Sequence, residues 1–175
     1  AFADLVRRHD ALRSHVVLAD DRPMMHVADP DTAADEFHLH RTDDLESVLR
    51  PPFRLDEGPL LRVVLEEDAT DVHLLGVAVH HLVADAWSFG ILAAELSARY
   101  AGEELPPLVT TYAAWAADQR ARHADAGSDA DLAYWTALLA DRSVVELPTD
   151  RPRPPVRGHR GEAVSFTVPA ALTAM

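Results

Sequence analysis

Apolar positions along this chain recur with two periods, and the changes between them mark out its elements. Phe2, Leu5, Val6, His9 and Leu12 fall on one stripe at helical spacing, so the chain opens inside a predicted helix. Residues 14–18 read as a strand, Ala19-Asp20-Asp21-Arg22-Pro23 as a turn and 24–27 as the return strand of a hairpin. Asp29-Pro30-Asp31 breaks the chain. Over 36–41, Phe37 and Leu39 alternate with His38 and His40, which predicts a half-exposed strand. Residues 43–49 predict a short helix that Pro51-Pro52 ends, and 60–65 a further strand. An acidic turn over 66–71 leads into an almost unbroken apolar run, 72–79, interrupted by His73 and Gly76. Such a run predicts a strand covered on both faces. Phe89, Leu92, Ala93, Leu96 and Tyr100 return to helical spacing, with Asp85 or Ser88 as N-cap and Gly102 as C-cap. Two more helices are predicted over 110–124 and 129–139, separated by Gly127-Ser128, with Trp115, Tyr134 and Trp135 on core-facing stripes. Residues 147–155 read as a proline-rich extended connector and 162–168 as a last strand. Helices and strands interleave without a strict βαβ rhythm, so an α/β sandwich with a mixed sheet is expected.

Composition narrows the class of function. The 175 residues suffice for one domain with its own core. The net charge is −13 and every cation is an arginine, so an acidic surface argues against nucleic acid as a partner. No apolar run approaches the roughly 20 residues of a spanning helix, and no basic amphipathic helix suggests a membrane surface. No signal peptide is visible, so the expected location is the cytoplasm. The chain holds no cysteine, which excludes disulfides, thiolate nucleophiles and zinc–cysteine sites.

The densest chemistry is Val79-His80-His81-Leu82-Val83-Ala84-Asp85-Ala86-Trp87-Ser88, at the junction of the apolar strand and the following helix. If His80 and His81 are extended, they point to opposite faces, so one can line a cavity while the other supports it. A histidine of unperturbed pKa about 6.5 can accept a proton near neutrality. The same pair can equally be a hydrogen-bonded structural feature, since two imidazoles at the end of an apolar strand are costly to bury without partners. His38 and His40, two apart, form a metal pair by type, but no third ligand completes them and a solvated strand face explains them better. His73 reads as a surface or satisfied histidine. The prolines and arginines over 151–160 suit a stiff linker or a partner-facing segment equally.

His80-His81-Leu82-Val83-Ala84-Asp85 resembles the HHxxxDG signature of condensation domains from nonribosomal peptide synthetases, in the chloramphenicol acetyltransferase-like superfamily. Four further segments agree in order. Arg8-His9-Asp10-Ala11-Leu12-Arg13 resembles RHExLR, and Phe53-Arg54-Leu55-Asp56-Glu57-Gly58-Pro59-Leu60-Leu61-Arg62 resembles FDLxxGPLLR. Tyr112-Ala113-Ala114-Trp115 is similar to a degenerate YxDFAxW, and Tyr134-Trp135 with Leu138 and 147–154 resembles YW…L…LPTDRPRP. The main departure is Ala86, where the family usually has glycine. If that position needs positive φ, alanine adds strain on the order of 1 kcal/mol and narrows the space beside His81.

The resemblance implies a chloramphenicol acetyltransferase-like two-layer sandwich with a mixed sheet, the N-terminal lobe of a pseudo-dimer. Residues 1–168 would be most of that lobe and 169–175 the start of the connection to a C-terminal lobe, with both ends of the chain reading as cut. The implied reaction joins a carrier-bound acyl or peptidyl thioester to the α-amine of a carrier-bound aminoacyl group, in a tunnel between the lobes. His81 would hydrogen-bond or deprotonate the amine, His80 would support it, and Asp85 would shape the turn and pair with an arginine, with Arg13 the candidate and an arginine of the second lobe the alternative. Ala86 and Trp87 would be supporting positions. No permanent cofactor and no metal are implied, since phosphopantetheine arrives on the partners. Those partners are donor and acceptor peptidyl carrier proteins and an adjacent adenylation domain. The Trp87-Ser88 order resembles peptide-forming rather than epimerising members. Two other readings stand beside this one: a silent condensation-like domain that recruits a partner, and a free-standing acyltransferase that uses a soluble acyl thioester.

Overall fold

The computed structural model describes residues 1–67, 72–124, 127–156, 158 and 163–173. The opening stripe folds as helix α1 (Phe2–Arg8) followed by a 3-10 turn (Asp10–Arg13), because the backbone leaves the helix at His9 (φ −98°, ψ 110°). The predicted single helix is thus broken in two, yet Leu5, Val6 and Leu12 all reach the core. Strands β1 (Ser14–Ala19) and β2 (Arg22–Val27) pair antiparallel as the predicted hairpin. Asp20 and Asp21 supply its two left-handed residues, at φ 51° and 58°, as a tight two-residue turn requires. Asp29-Pro30-Asp31 begins an element and does not break one. The Asp29 carboxylate accepts from the Asp31 and Thr32 N–H groups and caps α2 (Pro30–Asp35), with Pro30 in the first turn, where its missing N–H costs nothing.

The main sheet has the order β3-β4-β5. Strand β3 (Leu39–Arg41) is shorter than the predicted 36–41 and runs parallel to β4 (Leu61–Glu67), joined to it through the one-turn helix α3 (Leu45–Leu49). Strand β5 (His73–Val79) returns antiparallel to β4. The cross-strand pairs Leu61–Val79 and Val63–Val77 put four apolar side chains on one face. Against that face pack Leu5 and Val6 of α1 and Leu92 and Leu96 of α4 (Ala86–Tyr100), forming the helical layer of an α/β sandwich on a mixed sheet. On the opposite face α3 comes close at Gly76. A Cβ there would sit 2.8 Å from Leu49 Cδ1 and 3.3 Å from both Leu45 Cδ2 and Val64 Cγ1, so the glycine that interrupts the apolar run is what admits the helix.

The expectation that 72–79 is covered on both faces holds only toward its C-terminal end. Val72, Leu74 and Leu75 are exposed, and burial begins at Gly76, because β5 is an edge strand whose packing partners reach residues 76–79. Helix α4 ends as predicted, with Ala101 as C-cap and Gly102 at φ 83°. Helix α5 (Tyr112–Ala124) follows a loop.

The chain divides into two units, Ala1–Ala130 and Asp131–Met175. Helix α6 (Gly127–Leu139) runs across that division, so Gly127-Ser128 opens the helix instead of separating two. Beyond it, 140–156 have no regular structure, as the connector reading expects, and a last short helix α7 spans Ala170–Thr173. The strand predicted at 162–168 is not formed over its described part, 163–168, where Val164 and Phe166 are exposed. Alternation alone does not hold a strand without a neighbour to complete its ladder. Trp115, Tyr134 and Trp135 are likewise exposed and not core; their rings pair locally, Trp115 with Tyr112 at 5.9 Å and Tyr134 with Trp135 at 5.3 Å. Residues 68–71 of the acidic turn, Glu162, and Arg157, His159 and Arg160 of the proline–arginine stretch lie outside the described residues. No helix among the described residues is long and apolar enough to cross a membrane.

Candidate active site

The two adjacent histidines fall just past the end of β5, and their backbone decides their roles. The His80 N–H donates to Leu60 O at 3.0 Å, continuing the β4–β5 ladder by one rung. The chain then turns: the Val83 N–H donates back to His80 O at 3.0 Å, and the Val83 side chain is buried. His80 is itself held. Its Nδ1 accepts the Leu82 N–H at 3.1 Å, and its ring stands edge-on to Phe53 with centroids 6.0 Å apart. A neutral imidazole has one acceptor nitrogen, so with Nδ1 accepting, Nε2 carries the proton. Phe53 is backed in turn by Arg62, whose guanidinium lies 4.0 Å from the ring centroid and donates to the carbonyls of Pro51 and Pro52. His81, at the first turn position, is exposed and forms no hydrogen bond among the described residues. One histidine is thus tied into the scaffold and its neighbour is exposed on the turn that follows; His81 has left the extended backbone, so the pair does not line and back a cavity in the way two extended residues would.

Asp85 closes the turn from the other side. It caps α4, accepting the Ser88 N–H at 2.8 Å and the Ser88 hydroxyl at 2.7 Å, while the Asp85 N–H donates to Ser88 Oγ at 3.2 Å. The Ser88 hydroxyl first, then the Ser88 N–H, hold the Asp85 carboxyl below its usual range, and the nearby His81 adds to this. Asp85 is not paired with Arg13. The Arg13 guanidinium turns to the carbonyl of Ala28, its buried Nε has no hydrogen-bond partner, and its field reaches Asp29. The cause is local: Asp85 Oδ1 takes both Ser88 donors as the cap of α4, while Arg13 is committed to the Ala28 carbonyl in another part of the fold. Ala86 sits at the first position of α4 and is not among the positive-φ residues, so the strain expected of alanine in place of glycine does not arise. Trp87 is 82 % exposed and so supports nothing within the described chain.

Three contacts that the sequence patterns did not single out tie the elements around this junction to one another. Glu95 of α4, 15 % exposed, accepts from Arg8 Nε at 3.2 Å and lies 2.6 Å from His9 Nε2, which must donate because a carboxylate can only accept. Arg99 pairs with Asp4 one turn further on, at 3.1 Å. Asp10, 5 % exposed, accepts the Tyr112 and Ala113 N–H groups at 3.0 and 2.8 Å and so caps α5 from across the fold. The available signal was a carboxylate inside an apolar stripe: Glu95 lies between Leu92 and Leu96, where a solvated side chain is not expected.

A cavity of about 740 Å³ opens elsewhere in the same unit, lined by Arg13, His15, His38, His40 and Arg62 among others, and it takes in neither His80 nor His81. His38 lies outside β3 and His40 within it; both face this cavity, and no three metal-ligating side chains converge among the described residues. His73 is exposed at the start of β5.

A family model described as the condensation domain matches residues 1–175. The phosphinothricin tripeptide synthetase PhsB of Streptomyces viridochromogenes is 37 % identical over 190 residues, covering 97 % of this chain and 16 % of that protein. Among solved structures, the epimerization domain from the third module of tyrocidine synthetase B aligns with a TM-score of 0.70 at 25 % identity, covering 87 % of this chain and 38 % of that one. The X-domain from teicoplanin biosynthesis aligns with a TM-score of 0.67 at 26 % identity, covering 90 % and 38 %. The chain thus spans less than a fifth of that synthetase and little more than a third of either solved domain.

Proposed function

The chain belongs to the condensation-domain family, with its chloramphenicol acetyltransferase-like fold, and from that membership we propose that it is most of the N-terminal lobe of an amide-forming site centred on His81. In this reading residues 1–168 are the lobe and 169–175 lead toward a second one. The donor is an acyl or peptidyl thioester on one carrier protein's phosphopantetheine arm. The acceptor is the α-amine of an aminoacyl group on another, loaded by an adenylation domain, in the cytoplasm. The amine nitrogen attacks the thioester carbonyl, a C–N bond forms and the C–S bond breaks. The proton lost by nitrogen ends on the departing thiol sulfur. His81 takes up that proton, or aligns the amine through a hydrogen bond, and returns it to the thiolate. Alignment carries much of the gain, because thioester aminolysis is already downhill.

The observation that supports this most is the contrast within the pair. His80 is fixed by Leu60, Leu82 and Phe53, and beside it His81 is exposed with no hydrogen bond among the described residues, on a turn anchored by Val83 and the Asp85 cap. The test is single-turnover condensation by the full-length protein, with donor- and acceptor-loaded carriers and the dipeptidyl product read by intact-protein mass spectrometry. His81→Ala is expected to slow product formation by about 10²-fold or more. Near-normal turnover in that variant would refute the assignment. A second reading, recruitment of a partner protein without catalysis, draws on the likeness to the teicoplanin X-domain, which has been solved in complex with OxyB. Absence of product from wild type with demonstrably loaded cognate carriers favours it.

A further inference from the structure

We propose that Glu95 is a positioning residue for His81, acting through helix α4; this rests on the amide-forming reading above. His81 hangs on a turn with two supports. The first is the sheet, through the His80 N–H to Leu60 O bond. The second is α4, whose first residue follows the capping Asp85 directly. The near half of α4 is poorly held: Trp87, Phe89 and Ile91 are all exposed. Its attachment lies further along, where Leu92 and Leu96 enter the core and Glu95 meets Arg8 and His9 of the α1 segment.

Two apolar contacts hold a helix against a layer but leave it free to slide and roll by small amounts, because leucine packing is non-directional. A carboxylate gripped by two donors is directional. One Glu95 oxygen faces His9 Nε2 at 2.6 Å while both oxygens face Arg8 Nε at 3.2 Å, all three side chains being mostly buried. That grip fixes both the rotation and the axial setting of α4. Glu95 is ten residues from Asp85, about 15 Å along a stiff rod, so any roll at the grip is delivered to the turn that carries His81. An acid–base or aligning group misplaced by about 1 Å loses on the order of 10²-fold in rate.

The test uses the full-length protein with Glu95→Gln, which keeps shape and one acceptor oxygen, and Glu95→Met, which keeps shape and loses both donors' partner. Asp4→Ala serves as a reference, since it cuts the Arg99 ion pair on the same helix interface. Expected is a fall in kcat of about ten-fold or more for Glu95→Met, KM for both carrier substrates within about two-fold, and recovery of most of the rate in Glu95→Gln. Asp4→Ala, at a comparable loss of Tm, should leave kcat within about two-fold. The His81 imidazole NMR signals, assigned by their loss in His81→Ala, should move in Glu95→Met and not in Asp4→Ala. Equal kcat in Glu95→Met and wild type, or losses that follow Tm alike in Glu95→Met and Asp4→Ala, overturn the proposal. Inactive wild type refutes the amide-forming reading alone; the His81 signals then decide, and unchanged signals in Glu95→Met overturn the positioning role.

Discussion

Asp85 acts on the backbone before it acts on any substrate. Its Oδ1 accepts from both the Ser88 hydroxyl and the Ser88 N–H, so the turn that presents His81 is stapled to α4 by a group one residue from the helix. Those two bonds depress the folded-state pKa of Asp85 below 3.8. A group depressed on folding lends stability that is fully present above its unfolded value and disappears as pH falls through the lower folded value. Replacing Asp85 by Asn keeps an acceptor for the Ser88 N–H but removes the titration. The expected result is a small loss of Tm near neutrality and a shallower decline of Tm as pH falls below about 4. Acid limbs of equal slope in the two proteins would mean that the cap bonds are not formed in solution. Ala86 shows the complementary lesson. A residue that differs from the family's usual glycine carries no backbone strain here, because the position it occupies is the first turn of a helix, where alanine is at ease.

At the scale of elements, the sheet and the helix that carry the site were visible in the pattern, and their covering was not. The short apolar run at 72–79 identifies β5 by its length and bounding turns, and the stripe from Phe89 to Tyr100 identifies α4 by its period. Period says nothing of which strand is at the edge, and so the exposure of Leu74 and Leu75 could not be read from it. Nor could the fate of 163–168, whose alternation fits a strand but which pairs with no other in the described chain. Gly76 marks where local pattern and tertiary demand meet. In sequence it is a blemish in an apolar run; in the fold it is the clearance for α3. Gly76→Ala must push Leu49 aside, with Leu45 and Val64 boxing the new methyl, and should cost about 1 kcal/mol by chemical denaturation. Leu49 Cδ1 is the end of a flexible side chain, which keeps the cost low, and Leu49→Ala in the same chain should cancel part of it. Additive losses in the double variant would show that the helix does not approach as described.

Within the unit Ala1–Ala130, the segments that carry the family resemblance meet one another or the helix that carries the site. Phe53 and Leu60 meet His80, Arg8 and His9 meet Glu95, and Asp10 meets Tyr112 and Ala113. Four of the five motifs therefore meet in two pairs, which is why a single stretch such as His80 to Asp85 says so little by itself. Asp10 is the longest of these ties, reaching 102 and 103 residues along the chain to cap a helix that lacks local capping for its first two N–H groups. The sequence hides this role, since a carboxylate inside a predicted helix reads as solvated and its true partners are backbone atoms. Removing it by Asp10→Ala leaves two N–H groups without their acceptor and should destabilise the protein by about 1–2 kcal/mol, the upper part of the range for a lost helix cap. Asp10→Asn, with one acceptor oxygen left, should fall between. Because the tie joins α5 to the 3-10 turn and not to the His81 turn, hydrogen exchange in Asp10→Ala should rise at Tyr112 and Ala113 and stay unchanged at Val83. Faster exchange at Val83 as well would mean that the tie and the site open together, and that the cap of α5 is part of what holds the histidine in place.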